Sequence, residues 1–354
     1  MSASRHVVVA GGGVMGAATA YYLARKGLAV TLVERTAVAC GASGKSGGFL
    51  ALDWCDDSEL GPLARASFAL HAALARDLGT DYGYRRVDTF MAVAREVGRV
   101  SEGHRVAVPA WMDGESSVRA VIGSHETTAQ LNPAPFTTAL AEASGAVVRR
   151  GVVQALAVRD GVARGLRVDG ETLAADAVVL ALGPWTSAVA GRLLPRIRGL
   201  KGYSVTLTGL DLPAHSVFMD YRTADGRVLE PEIFPRPGGE VYVCGMRDLQ
   251  PLPESAEGVE VDDAACDVLA RAAGRVCTAL TRATIVRRQA CYRPVTDDGL
   301  PLIGRVPGVA GAYVATGHGP WGMLNAPATG LALAELIAEG AAKIVDLTAF
   351  DPAR

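Results

Sequence analysis

The chain has 354 residues, 49% hydrophobic and 20% charged, which is enough apolar material for one large domain or two and excludes wholesale disorder. Lys plus Arg number 35 against 37 Asp plus Glu, and a net charge of −2 disfavours a polynucleotide partner. The 41 glycines follow no collagen period, so they point to tight turns and to backbone brought close to a ligand.

His6–Ala10 reads as a buried strand, because a β-branched run is bounded at once by glycines. Val14–Lys26 reads as a helix closed by Gly27, and Leu28–Glu34 as a second buried strand. Strand, Gly-rich turn, helix and strand in about 30 residues make a βαβ unit with parallel strands. Ser58–Asp77 reads as a helix, Arg85–Arg95 as extended, Pro133–Ala143 as a helix and Ala146–Arg149 as a strand. Asp160-Gly161 turns Val152–Val158 back on Ala163–Val168, and Asp176–Leu182 is another buried strand, ending at Gly183.

Between Lys201 and Ile285 the pattern changes. Ser204–Leu207, Ser216–Tyr221, Val228–Pro235 and Glu240–Cys244 alternate with Gly and Pro, as in a mainly antiparallel sheet. Val259–Leu280 reads as a helix and Thr329–Glu339 as the last one. The order α/β, antiparallel, α/β predicts two interleaved domains.

The six cysteines form no CxxC pair and no disulfide scaffold, which suits a reducing compartment. The apolar runs Val7–Ala24 and Val306–Ala334 are broken by glycines and read as ligand-contacting turns, not membrane spans. No signal peptide is expected, so the expected location is cytoplasmic. The histidines form no metal-binding spacing.

Gly11-x-Gly13-x-x-Gly16 follows the first strand and opens the first helix, with Glu34 at the end of the next strand. Gly11 permits the tight turn, Gly13 lets backbone approach a diphosphate, and Gly16 lets the helix pack on the sheet. The helix N-terminus suits the anion and Glu34 suits an unphosphorylated ribose, which points to FAD or NAD. The alternative is a Gly-rich packing turn. A second Gly/Ser loop, Cys40–Gly48, comes directly after the second strand, where a flavin dinucleotide needs a further cradle and NAD does not.

At this point the chain resembles the FAD-dependent amine and amino-acid oxidases, the family of D-amino acid oxidase, glycine oxidase and sarcosine oxidase. The resemblance rests on VVVAGGGVMGAATAYYLARKG…VTLVE with GASGKSGG near the N-terminus, and on RPVTDDGLPLIGRVPGVAGAYVATGHGPWGMLNAPATGLALAELI near the C-terminus. It implies an α/β fold in which a Rossmann-like FAD-binding domain (residues 1–58, 133–200 and 285–354) is interleaved with a substrate domain (59–132 and 201–284) built on a mixed, mainly antiparallel sheet.

The resemblance also assigns roles. Gly11, Gly13, Val14, Met15, Gly16, Glu34 and Arg35 would hold the ADP half of FAD. Ser43, Gly44, Lys45 and Ser46 would lie beside the flavin ring, Val153 would meet adenine, and Gly183 and Trp185 would turn near the diphosphate. Gly317, His318, Gly319, Gly322 and Met323 would set amides against the flavin, where a helix N-terminus stabilises negative charge. Arg293 matches the arginine that takes a substrate carboxylate, for which a guanidinium offers a planar fork; the alternative is a structural arginine paired with Asp297 or Asp298.

Cys291 falls where sarcosine oxidase carries the cysteine bound covalently to flavin, or else it is a small buried hydrophobe. Lys45 could promote electron transfer to O2, or be a loop lysine. His318 could contact flavin, or serve the loop. The sarcosine-type lysine after Gly-His-Gly is replaced by Trp321. Tyr203, Tyr221, Glu230, Glu232 and Tyr242 could each reach a substrate pocket, and the sequence does not rank them.

The expected function is oxidation of the C–N bond of a small amine or amino acid by hydride transfer to FAD, with O2 as acceptor. The alternatives are an FAD dehydrogenase passing electrons to a protein or quinone, a non-catalytic FAD-binding protein, and an NAD-dependent dehydrogenase.

Overall fold

The computed structural model describes residues 5–100 and 103–354, so residues 1–4 of the expected cofactor domain and 101–102 of the expected substrate domain lie outside the described residues. The chain opens with β1 (His6–Ala10), α1 (Val14–Arg25) and β2 (Ala29–Glu34), a βαβ unit whose strands are parallel. It continues through β3 (Phe49–Ala51), α2 (Gly61–Asp77), β4 (Arg85–Arg86), β5 (Asp88–Arg95), β6 (Ser116–Gly123), β7 (Thr128–Gln130), α3 (Pro133–Ala143) and β8 (Val147–Arg150). β9 (Val153–Arg159), β10 (Val162–Val168) and β11 (Glu171–Ala174) form a small antiparallel sheet before β12 (Ala177–Leu180) and α4 (Thr186–Ala190). Then come β13 (Arg198–Thr208), β14 (His215–Arg222), β15 (Val228–Leu229), β16 (Glu232–Arg236), β17 (Glu240–Asp248), α5 (Asp263–Val276) and β18 (Thr284–Val295). The chain ends in β19 (Leu302–Arg305), β20 (Ala312–Thr316) and α6 (Gly322–Glu339).

The first sheet has the order β19-β20-β12-β1-β2-β8, parallel except for the β19 edge. Period-two alternation splits its core. Val7 and Val9 pack with α1, α2, α3 and α6, whereas Val8 and Ala10 pack with β10. Coverage of both faces explains the unbroken valine run of β1. The second sheet has the order β18-β13-β17-β16-β14-β5-β6, with β15 on β14, and is antiparallel except between β14 and β5. α5 buries Cys266, Leu269 and Ala273 against one of its faces, beside Val205 and Val243.

Two segments cross the expected domain division. α2 buries Leu63, Phe68 and Leu74 in the core of the first sheet, although residues 59–132 were assigned to the substrate domain. β18 pairs with β13 in the second sheet, although residues 285–354 were assigned to the cofactor domain.

Three element boundaries also differ. The expected helix Val259–Leu280 is confined to α5, because Asp262 caps it by accepting from Ala264 N at 2.9 Å. Val228–Pro235 is broken into β15 and β16 around Pro231.

The last helix begins seven residues before Thr329 and runs through Pro327. Proline removes one N–H and disturbs the preceding turn, and α2 repairs the damage. His71 Nε2 donates to Met323 O at 3.0 Å and to Leu324 O at 3.1 Å, and Ser67 Oγ accepts from Ala328 N at 3.0 Å.

Candidate active site

A cavity of about 790 Å³ opens beyond the carboxyl ends of the parallel strands, under the face of the second sheet that α5 leaves free. This is the crevice where open α/β sheets receive ligands. Residues at the ends of these strands or just beyond them line it: Gly11 and Gly13 after β1, Glu34 and Arg35 at the end of β2, Gly183 after β12 and His318 after β20.

At the glycine turn, Gly11 has φ of +106°, and a Cβ there would lie 2.3 Å from Ala181 O. Gly13 precedes α1 with no side-chain cap, leaving first-turn N–H groups at the cavity wall with Val14 and Met15; Val14 N donates to Ser43 Oγ at 2.8 Å. Gly16 does not line the cavity. A Cβ there would lie 1.9 Å from Gly11 O, so this glycine serves packing alone. Glu34 Oε2 accepts from Gly12 N at 2.7 Å and Oε1 from Thr36 N at 2.9 Å, which fixes the carboxylate at the rim with lone pairs to spare. Arg35 lines the same rim and pairs with Glu254 at 3.6 Å and Glu257 at 3.9 Å, acids of a loop that reaches over from the second sheet. Val153 and Trp185 line the walls on either side, and the Trp185 indole N–H donates to Pro253 O at 2.7 Å.

The second Gly/Ser loop crosses between the two sheets. Ser43, Lys45 and Ser46 line the cavity, whereas Gly44 does not; its missing Cβ makes room for Ala39 O, 2.1 Å from where that atom would be. The second sheet grips the loop. Tyr242 Oη donates to Lys45 O at 2.6 Å, and Arg236 Nη2 donates to Ser46 O at 2.9 Å and Gly47 O at 3.3 Å. Lys45 Nζ donates to Ala290 O at 3.2 Å, so it is tied to β18 and is not a solvated loop lysine.

On the far wall, Gly319, Gly322 and Met323 line the cavity at the uncapped start of α6, so two helix N-termini converge on it. Gly317 is not in the lining; a Cβ there would meet the Thr296 side chain at 2.9 Å. His318 is buried, and burial pushes its pKa down to about 3, so it is neutral. Its Nε2 lies 3.1 Å from Thr329 Oγ1 and its Nδ1 has no partner among the described residues, and Ser46 Oγ is likewise buried without one. Two orphaned polar atoms and two helix N-termini without N-cap side chains in one long cavity suit a polar, anionic dinucleotide carrying a ring with its own donors and acceptors.

The remaining end lies against the second sheet, where residues two apart share a face: Glu232 with Phe234, Tyr242 with Cys244, and Cys291 with Arg293. The structural partners open to Arg293 are taken, since Asp297 pairs with Arg198 at 2.8 Å and Asp298 with Arg354 at 2.8 Å. The Arg293 side chain makes no ion pair or hydrogen bond with any described residue. Burial works against its charge, but its neighbours, Cys244 and Glu232 foremost among them, together more than offset this. Burial pushes the Cys291 thiol up, against the pull of Arg293 and Lys45. Of the unranked polar residues, Tyr203, Glu232 and Tyr242 reach the cavity. Tyr221 is sealed in the second core and Glu230 pairs with Arg247 at the surface.

Sequence reasoning missed the aromatic wall. Phe49, Trp54, Phe218, Phe234 and Trp321 all line the cavity, and Trp54 meets Trp321 edge-on with ring centroids 6.4 Å apart. It also missed Arg236 and Cys244. The alternation in Glu232-Ile233-Phe234 and Tyr242-Val243-Cys244 marks two such faces, but only the sheet order says which side is the cavity. No helix among the described residues is long and apolar enough to cross a membrane, and no cluster of His, Cys, Asp and Glu there could hold a metal.

The same architecture occurs in characterised proteins. The family profile described as FAD dependent oxidoreductase matches residues 6–336. A Schizosaccharomyces pombe protein named as an oxidoreductase by assignment is 31% identical over 99% of both chains. Glycine oxidase of Geobacillus kaustophilus is 28% identical over 94% of this chain and 92% of its own, and its crystal structure superposes with a TM-score of 0.80, covering 99% of each chain at 25% identity. D-amino acid dehydrogenase of Cereibacter sphaeroides is 35% identical over 56% of this chain and 44% of its own. A match over nearly the whole chain, on a crevice whose residues suit a flavin dinucleotide, makes this protein an FAD-dependent oxidoreductase of the D-amino acid oxidase family.

Proposed function

We propose that the protein oxidises the C–N bond of a small amino acid or related amine, with O2 as electron acceptor. The observation that carries this reading is Arg293, a charged guanidinium that faces the cavity and makes no hydrogen bond or ion pair with any described residue. A substrate carboxylate is the group whose geometry it matches. FAD, when bound, supplies the two-electron sink. The chain's own residues then have three tasks. Arg293 fixes the carboxylate end and so orients the α-carbon. Trp321, Trp54 and Phe218 keep water away from that carbon. The α6 N-terminus and Lys45 bring positive potential to the side where negative charge accumulates. Such a reaction needs an uncharged amine but no strong base, in keeping with a neutral His318.

The test is a panel of D- and L-amino acids mixed with the holoenzyme without oxygen, followed by air. Bleaching of the flavin by an amino acid and prompt return of its colour with peroxide supports the oxidase. Bleaching with slow return in air supports a dehydrogenase, the reading favoured by the Cereibacter sphaeroides relative. No bleaching by any carboxylate-bearing amine overturns the proposal.

A further inference from the structure

The substrate end of the cavity holds a half-buried acid that the family resemblance leaves unassigned. Glu232 stands on β16, and its place relative to Arg293 follows from register. Cys244 of β17 is the residue paired with Glu232, and Ser204 of β13 is the residue paired with Cys244. Two residues away on β13 is Gly202, which has no side chain to block the sheet surface. A Cβ on Gly202 would sit 3.1 Å from Arg293 Nη2. The guanidinium of β18 therefore lies over β13, on the side of Cys244 and Glu232.

The carboxylate of Glu232 is only half satisfied. Cys244 Sγ donates to Oε2 at 3.4 Å, while Oε1 takes no hydrogen bond from any described residue. No ion pair reaches it among the described residues. Arg247 is held by Glu230 at 2.9 Å, and Lys45 by Ala290 O. Phe218 faces it in register on β14, and Phe218 packs edge-on to both Phe49 and Trp54, at centroid distances of 4.9 and 5.0 Å. Burial raises the pKa of this acid, and Arg293 offsets the effect only in part. A carboxylate with a free oxygen beside aromatic rings is a receptor for an organic cation.

We propose that Glu232 receives the ammonium group of the substrate and takes its proton, leaving the uncharged amine that the reaction needs, so that Arg293 and Glu232 together select a zwitterion over a plain carboxylate. This rests on the amino-acid reading above. An acid without an amine would satisfy Arg293 but bring its negative charge towards Glu232 with nothing to compensate, which is discrimination by repulsion as well as by attraction. Glu232 is then a specificity-determining residue that touches substrate.

The test is calorimetric binding to the holoenzyme, kept anaerobic with its flavin reduced beforehand so that no turnover adds heat. The probes are phenylalanine, as each enantiomer, and its amine-free counterpart 3-phenylpropionate. Wild type should bind one enantiomer at least tenfold more tightly than 3-phenylpropionate. Glu232→Gln should lose that preference while binding 3-phenylpropionate equally or more tightly, with flavin content unchanged. Glu232→Asp, which keeps the charge, should retain part of the preference. A preference that survives in Glu232→Gln, or that wild type lacks, overturns the role of Glu232 alone. Failure of wild type to bind any of the three probes overturns the carboxylate reading of Arg293 and this inference with it.

Discussion

The two ends of the cavity are made of different material. The end around Gly11, Gly13 and Ser43 is backbone: turns, uncapped N–H groups and carbonyls supplied by two short stretches close together in the chain. The end around Arg293 and Glu232 is side chains, carried on strands that come together only when β18, β13, β17 and β16 pair. A backbone site tolerates almost no added atom, since its shape is the chain itself. A side-chain site can lose one group and keep its frame. That difference predicts opposite failures, loss of fold and flavin at the first end and loss of substrate at the second.

Gly16→Val should produce the largest effect. With Gly11 O 1.9 Å from the position of a Cβ, α1 must separate from β1, at a cost above about 4 kcal/mol. The expected outcome is little soluble protein and none that takes up flavin, read by thermal unfolding and flavin absorbance. Near-normal flavin content would show that the helix can shift without disturbing the turn.

Arg293→Ala should do the reverse. Flavin content and unfolding temperature should stay near wild type, while carboxylate substrates lose roughly 2–5 kcal/mol of binding. Steady-state kinetics with a carboxylate substrate and its methyl ester separate the loss, because the ester should be nearly indifferent to the change. An equal loss for both would move Arg293 from substrate binding to structure.

The pH dependence of stability sharpens the comparison from below the site. His71 is buried and neutral, its pKa pushed down by desolvation to about 4 against a usual value of 6.5. Between those two values the unfolded chain binds a proton that the fold excludes, so stability falls as pH drops from about 6.5 to about 4. At ~1.4 kcal/mol per pH unit this reaches roughly 3 kcal/mol. His318, pushed to about 3, acts in the same direction. His71→Gln keeps a donor for the carbonyls freed near Pro327 but cannot be protonated. Its urea midpoint should therefore fall less between pH 7 and pH 5 than that of wild type.

The same contrast explains what could be read from the residues alone. The βαβ unit, its glycine turn and Glu34 were legible because each step is local, a valine run, a glycine and a helix within one stretch. The start of α6 was not, because the ladder broken at Pro327 is repaired by Ser67 and His71 from a helix some 250 positions away. Arg293 was legible only through resemblance, and Glu232 stayed unranked beside Tyr221 and Glu230 until strand order separated the three. Gly44 and Gly317 are expected at the cofactor only through the resemblance, yet neither lines the cavity, and their missing side chains make room for Ala39 and Thr296.

Cys291 should give the smallest effect and the finest test of the boundary between the two ends, since it lies next to both Lys45 and Arg293. A covalent bond to flavin needs a thiolate nucleophile. Burial holds the proton on this thiol, and the two nearby cations only partly oppose it, so the noncovalent state is expected. Acid precipitation should release all colour to the supernatant, and Cys291→Ser should keep its flavin with stability changed by no more than about 1 kcal/mol. Colour retained in the wild-type pellet and lost in Cys291→Ser would mean that Lys45 and Arg293 outweigh burial once the flavin is seated. The substrate end would then help to fasten the cofactor, and Arg293→Ala should reduce covalent incorporation as well as substrate binding.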